Sequence, residues 1–502
     1  MSDESSERAT PTAADAERLV LRGGGSAAFG FLIRFGARFL FLFLAARLFG
    51  AALFGAYSLA IAAVELAVAV GGLGMKRYLF HLLEHKGADR SAAHVVLDAA
   101  VLVTAASLSL AAAMMLAVLL LPAGLLAANS ATAMLILAPM IAGQALIDLF
   151  LAATRWTHKM RYEVAARSLV EPYVGIAAAA AAFALGYDQT GLLISYWAGT
   201  LCALGYAIFG MRRCYGALGL RRYRLDRRRL AGIARAIAFP TATDLINGLF
   251  GRLDLYLVGI FLGEAPAGIY GMARQIRTPI RQVRQSFDGM LTPIVARTLA
   301  ARGARDTGAA TASASRLILA IQLPFLLTLI VIGQPLLEWL GPDFAAGYWP
   351  LVILAAAETI QAAFGVGELI LFYRRPALGL WVILAAIAVN IAAGWLLIPY
   401  WGIEGAALAV LGAVAASALL RRLLLRASFG IVIPLSYCAG PLAAAAAALA
   451  AILLLHPLLP PSSPWLLYGV SLALGLGTYA ALLTLWMRGA GNRLSLVNLQ
   501  AD

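Results

Sequence analysis

A chain of 502 residues that is 62% hydrophobic and 13% charged, with a mean hydropathy of +0.85, does not fold as a soluble globule. Its net charge of +14 invites a nucleic-acid reading, but the cations track the turns between apolar runs and no aromatic-rich basic module accompanies them. Cys202, Cys214 and Cys438 make neither a disulfide framework nor a metal-ligand spacing.

Residues 1–25 open with a polar, Ser/Ala/Glu-rich stretch and lack an apolar core ahead of a cleavage site, which predicts a disordered cytoplasmic tail and not a signal peptide. Apolar runs long enough to cross about 30 Å of hydrocarbon follow. Six of them, at 26–48, 53–75, 93–121, 131–153, 164–186 and 191–211, make an N-terminal six-helix bundle over 26–211. Residues 212–229 carry Arg212, Arg213, Arg221, Arg222, Arg224, Arg227, Arg228 and Arg229 and read as a cytoplasmic linker. A second bundle over 230–426 takes spans near 232–262, 268–296, 316–340, 348–373, 377–398 and 404–420. Helices 13 and 14, at 432–455 and 465–487, complete the 427–487 region, and 488–502 is a cytoplasmic tail. The expected fold is an all-α polytopic membrane protein with about fourteen transmembrane helices.

Charge placement supports that count. Alternate turns hold Lys76, Arg77, Lys86 and Arg90; then Arg155, Lys159 and Arg161; then the linker; then Arg297, Arg302 and Arg305; then Arg374 and Arg375; Arg421, Arg422 and Arg426; and Arg488 and Arg493. The opposite turns hold no Lys or Arg, so the positive-inside rule puts both termini in the cytoplasm. The outside turns are short, which leaves no room for an external domain.

One stretch stands out against this apolar background. At about 100° per residue, Tyr270, Arg274, Arg277, Arg281, Arg284 and Asp288 fall within an arc of about 80° on the span at 268–296. An arginine turned toward lipid costs about 2.5 kcal/mol or more, so this face must meet water or protein. Guanidinium forks suit phosphate, and an anion-lined cavity is the leading reading; the alternative is a cytoplasmic anchor belt, for Arg284 above all.

A repeat underlies the plan. Phe49-Gly50, Gly55, Tyr57 and Ala60 recur as Leu262-Gly263, Gly268, Tyr270 and Ala273, each 213 residues later. Two bundles repeating in the same orientation are parallel repeats, an arrangement that places a substrate site between them.

The segments Ala46-Arg47-Leu48-Phe49-Gly50 through Phe54-Gly55-Ala56-Tyr57-Ser58-Leu59-Ala60, Gly72-Leu73-Gly74, and Leu397-Ile398-Pro399-Tyr400-Trp401-Gly402-Ile403-Glu404-Gly405-Ala406-Ala407-Leu408-Ala409 resemble the polysaccharide-transport flippases. These belong to the multidrug/oligosaccharidyl-lipid/polysaccharide exporter superfamily. The resemblance implies movement of undecaprenyl-diphosphate-linked oligosaccharide across the bacterial inner membrane by alternating access, for lipopolysaccharide or exopolysaccharide synthesis. It implies neighbouring glycosyltransferases and a polymerase as partners, and no cofactor. Lipid II flippases, a sister group, carry Asp-Ala-Phe after the first span where this chain reads Phe54-Gly55-Ala56-Tyr57.

The residues can be weighed without the family. Arg34 and Arg38, one turn apart on the first span, offer a second basic face, although Arg34 lies within snorkelling reach of the cytoplasmic surface. Arg252 sits deeper, and Asp244 and Asp254 are expected to pair with it or to titrate with an ion gradient. Glu65 and Glu358, near the middles of spans, are the other coupling candidates. Pro240 and Pro279 are expected to bend their helices. His81-Leu82-Leu83-Glu84-His85 matches one zinc-peptidase pattern but has no evident third ligand or substrate cleft, and no Walker lysine appears. Three classes follow: a lipid-linked oligosaccharide flippase, an ion-coupled multidrug antiporter that the arginines disfavour, and a membrane glycosyl transferase or polymerase that the short outside turns disfavour.

Overall fold

The computed structural model describes residues 13–85, 91–122, 126–216, 223, 225–284, 303–455 and 464–489. Among them the chain is helical throughout its regular structure, with no strand. Asp288, Arg221, Arg222, Arg224, Arg297, Arg302, Arg493 and the start of the N-terminal tail lie outside the described residues.

In chain order the helices used below are α1 (Ala13–Gly71), α2 (Met75–Glu84), α3 (Ala92–Leu120), α4 (Ala128–Leu137), α5 (Met140–Trp156), α6 (Arg161–Ala165), α7 (Glu171–Ala184) and α8 (Gly191–Tyr215). They continue as α9 (Arg227–Phe250), α10 (Leu253–Leu262), α11 (Glu264–Ile276), α12 (Gly303–Leu340), α13 (Tyr348–Arg374), α14 (Pro376–Phe429), α15 (Ala439–Leu455) and α16 (Pro464–Gly489). Eight described helices are long and apolar enough to cross a bilayer, or ten when two bent pairs are each taken as one span. The chain is a multi-pass membrane protein.

Four expected spans do not appear as single helices: 131–153 and 232–262 are the bent pairs, and the other two break for local reasons. The 164–186 run is interrupted by a π-turn at Ala166–Val170. The 268–296 run ends its first helix at Ile276, with a turn at Arg277, because Pro279 has no N–H to continue the ladder. The Ile280 amide bonds instead to the Arg277 carbonyl three residues back, and the buried Gln322 side chain donates to the Ile280 carbonyl at 2.7 Å. Helix resumes over 278–284. The other bend differs from expectation: helix runs through Pro240, and the 48° break comes at Gly251-Arg252, between α9 and α10.

The chain divides into two compact units. The first comprises Met1–Phe49, Ala67–Ala117 and Leu135–Thr241. Its core packs Met75, Leu79 and Leu83 of α2 with Val96 and Val103 of α3, Ile147 and Leu151 of α5, and Ala203 and Ala207 of α8. Asp98, 1% exposed, is held by Arg229 at 2.7 Å and the Tyr223 hydroxyl at 2.8 Å, which fastens the linker to α3. Within the same unit Arg167 of the π-turn bonds Glu171 at 2.7 Å, Gln144 at 2.9 Å and Asp148. The Gln144 amide donates onward to Glu171 and Thr200, so this polar cluster has its charges paired.

The second unit comprises Gly50–Leu66, Val118–Met134 and Ala242–Asp502. One apolar cluster in it joins Ile318, Leu319 and Leu323 of α12 to Val366, Ile370 and Leu371 of α13, Leu425 of α14, Ala448 of α15 and Tyr479 of α16. The residues of the 213-residue repeat meet here. Gly50 (φ 73°, ψ −179°) and Gly263 (φ 87°, ψ −165°) share a conformation open to glycine, and each starts a helix on its far side. Those helices, residues 51–66 and α11, then cross backbone to backbone. A Cβ at Gly55 would lie 1.8 Å from the Glu264 carbonyl oxygen, and one at Gly268 would lie 2.0 Å from that of Ala51. Position 51 corresponds to 264 and 55 to 268, so the contact is reciprocal under the repeat. Glu264 also accepts hydrogen bonds from Ser130 Oγ at 2.8 Å and Asn129 at 3.0 Å.

Candidate functional site

The arginine face lies in the second unit, and most of it is paired. Asp254, 3% exposed on α10, accepts the Tyr270 hydroxyl at 2.8 Å and an ion pair from Arg274 at 3.0 Å. Arg277, 7% exposed, pairs with Glu358 of α13 at 2.9 Å. Arg284 meets Glu368 of α13 at 3.4 Å, and the same carboxylate is held by Arg421 of α14 at 3.3 Å. Gly365 makes room for Arg284, because a Cβ there would sit 2.8 Å from the guanidinium carbon.

The register explains which arginine is left over. Glu358, Gln361 and Glu368 fall within about 80° on α13 and form a stripe facing the arginines. Between its two carboxylates that stripe carries Gln361 and Gly365, neither of them charged. Arg281, flanked in sequence by Arg277 and Arg284, is exposed and makes no hydrogen bond or ion pair with a described residue.

Arg277, Arg281, Arg284, Asp254 and Glu358 line one cavity of about 230 Å³, together with Gln361 and Asn390. Three guanidiniums against two carboxylates leave a net positive lining. The two amides have the opposite character to the ion pairs. Asn390, 1% exposed, and Gln361 each have a buried side-chain oxygen with no hydrogen-bond partner among the described residues. Leaving such a group unsatisfied costs about 1–3 kcal/mol.

Several expectations need correction. Arg252 pairs with Glu65 at 2.7 Å and not with Asp254, which is committed to Arg274 and Tyr270. The bend at Gly251-Arg252 accounts for this, because it gives Arg252 the N-cap position of α10 and a bond to the Gly248 carbonyl. Glu65, Asp254 and Glu358, singled out as coupling carboxylates, each pair with an arginine in this structure. Asp244 is half-buried on α9. Arg34 and Arg38 lie on α1 in the first unit.

Gln361, Glu368, Asn390 and Arg421 were missed by sequence reasoning. Asn390 left a signal: it is the one carboxamide, hydroxyl or charged side chain in residues 377–398. Glu368 lies near the end of the span expected at 348–373.

The model of a family described as "Polysaccharide biosynthesis protein" matches residues 20–299. Among solved structures, a lipid II flippase MurJ in an inward closed conformation is similar with a TM-score of 0.74 at 14% identity, over 92% of this chain and 99% of that one. An inward-facing multidrug resistance MATE family transporter of the MOP superfamily gives 0.60 at 13% identity, over 79% of this chain and 97% of that one. At these identities the likeness is one of fold. No curated protein matches the chain.

Proposed function

Because the chain belongs to the polysaccharide biosynthesis protein family, we propose that it is a flippase that carries undecaprenyl-diphosphate-linked oligosaccharide from the cytoplasmic to the periplasmic leaflet of the inner membrane. The observation that carries this reading is Arg281: an exposed residue on a cavity with a net positive lining, set between two arginines already held by carboxylates. A guanidinium in no ion pair with a described carboxylate can give its fork of donors to a phosphate, and Arg277 and Arg284 add field without having to break their pairs. Arg274 and Tyr270 position Asp254 and the start of this face, and Arg252 holds Glu65; their part is structural. Arg34 and Arg38 are proposed as cations that the headgroup meets in the first unit.

The same charge balance works against an antiporter of cationic drugs, whose substrate would face three guanidiniums. Transport, and not chemistry, is the activity this site supports; the partners expected are the glycosyltransferases and polymerase that make and consume the glycolipid. The test is binding of a short-chain polyprenyl diphosphate to purified protein. Arg281→Ala should weaken binding at least tenfold and Arg281→Lys should restore part of it, since lysine supplies charge without the two-pronged geometry. Equal binding by wild type and Arg281→Ala contradicts the reading.

A further inference from the structure

The cavity beside Arg281 carries more than an anion needs. A diphosphate is satisfied by donors and positive charge, yet the wall also holds the carboxamides of Gln361 and Asn390, whose buried oxygens lack partners. We propose that these two amides form a subsite for the sugar next to the diphosphate, so that the cavity recognises a sugar phosphate and not a phosphate alone. This rests on the anion reading of Arg281 and extends it.

Three observations favour a sugar. A carboxamide offers one donor group and one acceptor, and a sugar hydroxyl offers both, so the match survives either assignment of the amide's oxygen and nitrogen. Asn390 is 1% exposed, stands in an otherwise apolar helix segment and lines the cavity, so a turn of its side chain toward the cavity is what would give its oxygen a partner. Size is compatible with a sugar: about 230 Å³ lies near the lower end of the roughly 300–1,000 Å³ typical of small-ligand pockets. Two amide oxygens and two carboxylates could otherwise suggest a metal cation. Both carboxylates are already taken by Arg277 and Arg274, and the lining is net positive, so a cation is disfavoured.

The experiment compares binding of inorganic diphosphate with that of hexose 1-diphosphates, glucose, galactose and their N-acetyl forms, to the purified full chain. At least one sugar diphosphate should bind wild type tenfold or more tighter than inorganic diphosphate. Asn390→Leu and, separately, Gln361→Leu should lose that advantage while keeping the affinity for inorganic diphosphate, which also reports that each variant is folded. The subsite is overturned if no sugar adds affinity, or if both variants keep the advantage. It is equally overturned if sodium, against choline, stabilises wild type and not Asn390→Leu while the sugars add nothing. Failure of inorganic diphosphate itself to bind in an Arg281-dependent way is a different result: it removes the anion reading on which the subsite stands.

Discussion

The pair Arg277–Glu358 separates structural arginines from the one available for substrate. Glu358→Ala leaves a guanidinium whose residue is 7% exposed without its counter-ion at 2.9 Å. Breaking a buried pair typically costs about 3–5 kcal/mol. The cavity alongside can admit water to the stranded charge, which brings the expectation to the lower end, about 2–3 kcal/mol. Arg277→Ala strands Glu358 in the same way. The double variant strands neither group, so it should recover about 2 kcal/mol relative to the sum of the singles. Large membrane proteins unfold irreversibly, so the assay is the rate of heat inactivation of detergent-solubilised protein at one temperature. If the pair is lost before the unfolding barrier, a coupling of about 2 kcal/mol appears as a roughly 30-fold difference in rate. Arg281→Ala in the same assay should fall within about 0.5 kcal/mol of wild type, since it breaks no pair among the described residues. Additive losses for Arg277 and Glu358, or a large loss for Arg281→Ala, would refute the assignment of which arginine is spoken for.

Other consequences are direct. Gly268→Ala should destabilise by about 1–3 kcal/mol, because its Cβ meets backbone at 2.0 Å, whereas Gly205→Ala, with nothing within 4 Å, should gain up to about 1 kcal/mol of helix propensity; the comparison of their inactivation rates checks the reciprocal crossing. Gln144→Leu should cost about 1–3 kcal/mol by stripping partners from Arg167, Glu171 and Thr200, measured the same way. Cysteines placed at 215–230 should react with an impermeant thiol reagent only when the cytoplasmic face is open to it, and labelling of intact cells from outside would overturn the proposed orientation.

Much of the fold could be read because the bilayer forces it to be written plainly. Apolar runs mark where helices lie, the alternation of cations predicts which turns share a side, and the recurrence at 213 residues reappears as Gly50 and Gly263 in one conformation. The arginine face was legible for the same reason, since four guanidiniums at helical spacing have no lipid-facing explanation. Which of them is bound to which carboxylate was not. Pairing depends on helix neighbours and on bends, and the break at Gly251-Arg252, not the one expected at Pro240, sends Arg252 to Glu65. The stripe Glu358-Gln361-Glu368 was visible in sequence, but only the packing of α13 against α11 gives it meaning as the partner of the arginines. Asn390 shows the limit from the other side: a lone amide in an apolar run is a clear signal of interior function, yet nothing along the chain says that it shares a cavity with Arg281.

The central claim is that Arg281 engages an anionic lipid headgroup that the protein carries across the membrane. Its most direct measurement is the sidedness of the lipid-linked oligosaccharide in cells lacking the protein and any redundant flippase, complemented with wild type, Arg281→Ala or Arg281→Lys. The glycolipid should accumulate on the cytoplasmic leaflet without the protein, with full relief by wild type, little relief by Arg281→Ala and partial relief by Arg281→Lys. Normal arrival of the glycolipid at the outer leaflet in the absence of the protein, or full relief by Arg281→Ala, would contradict it.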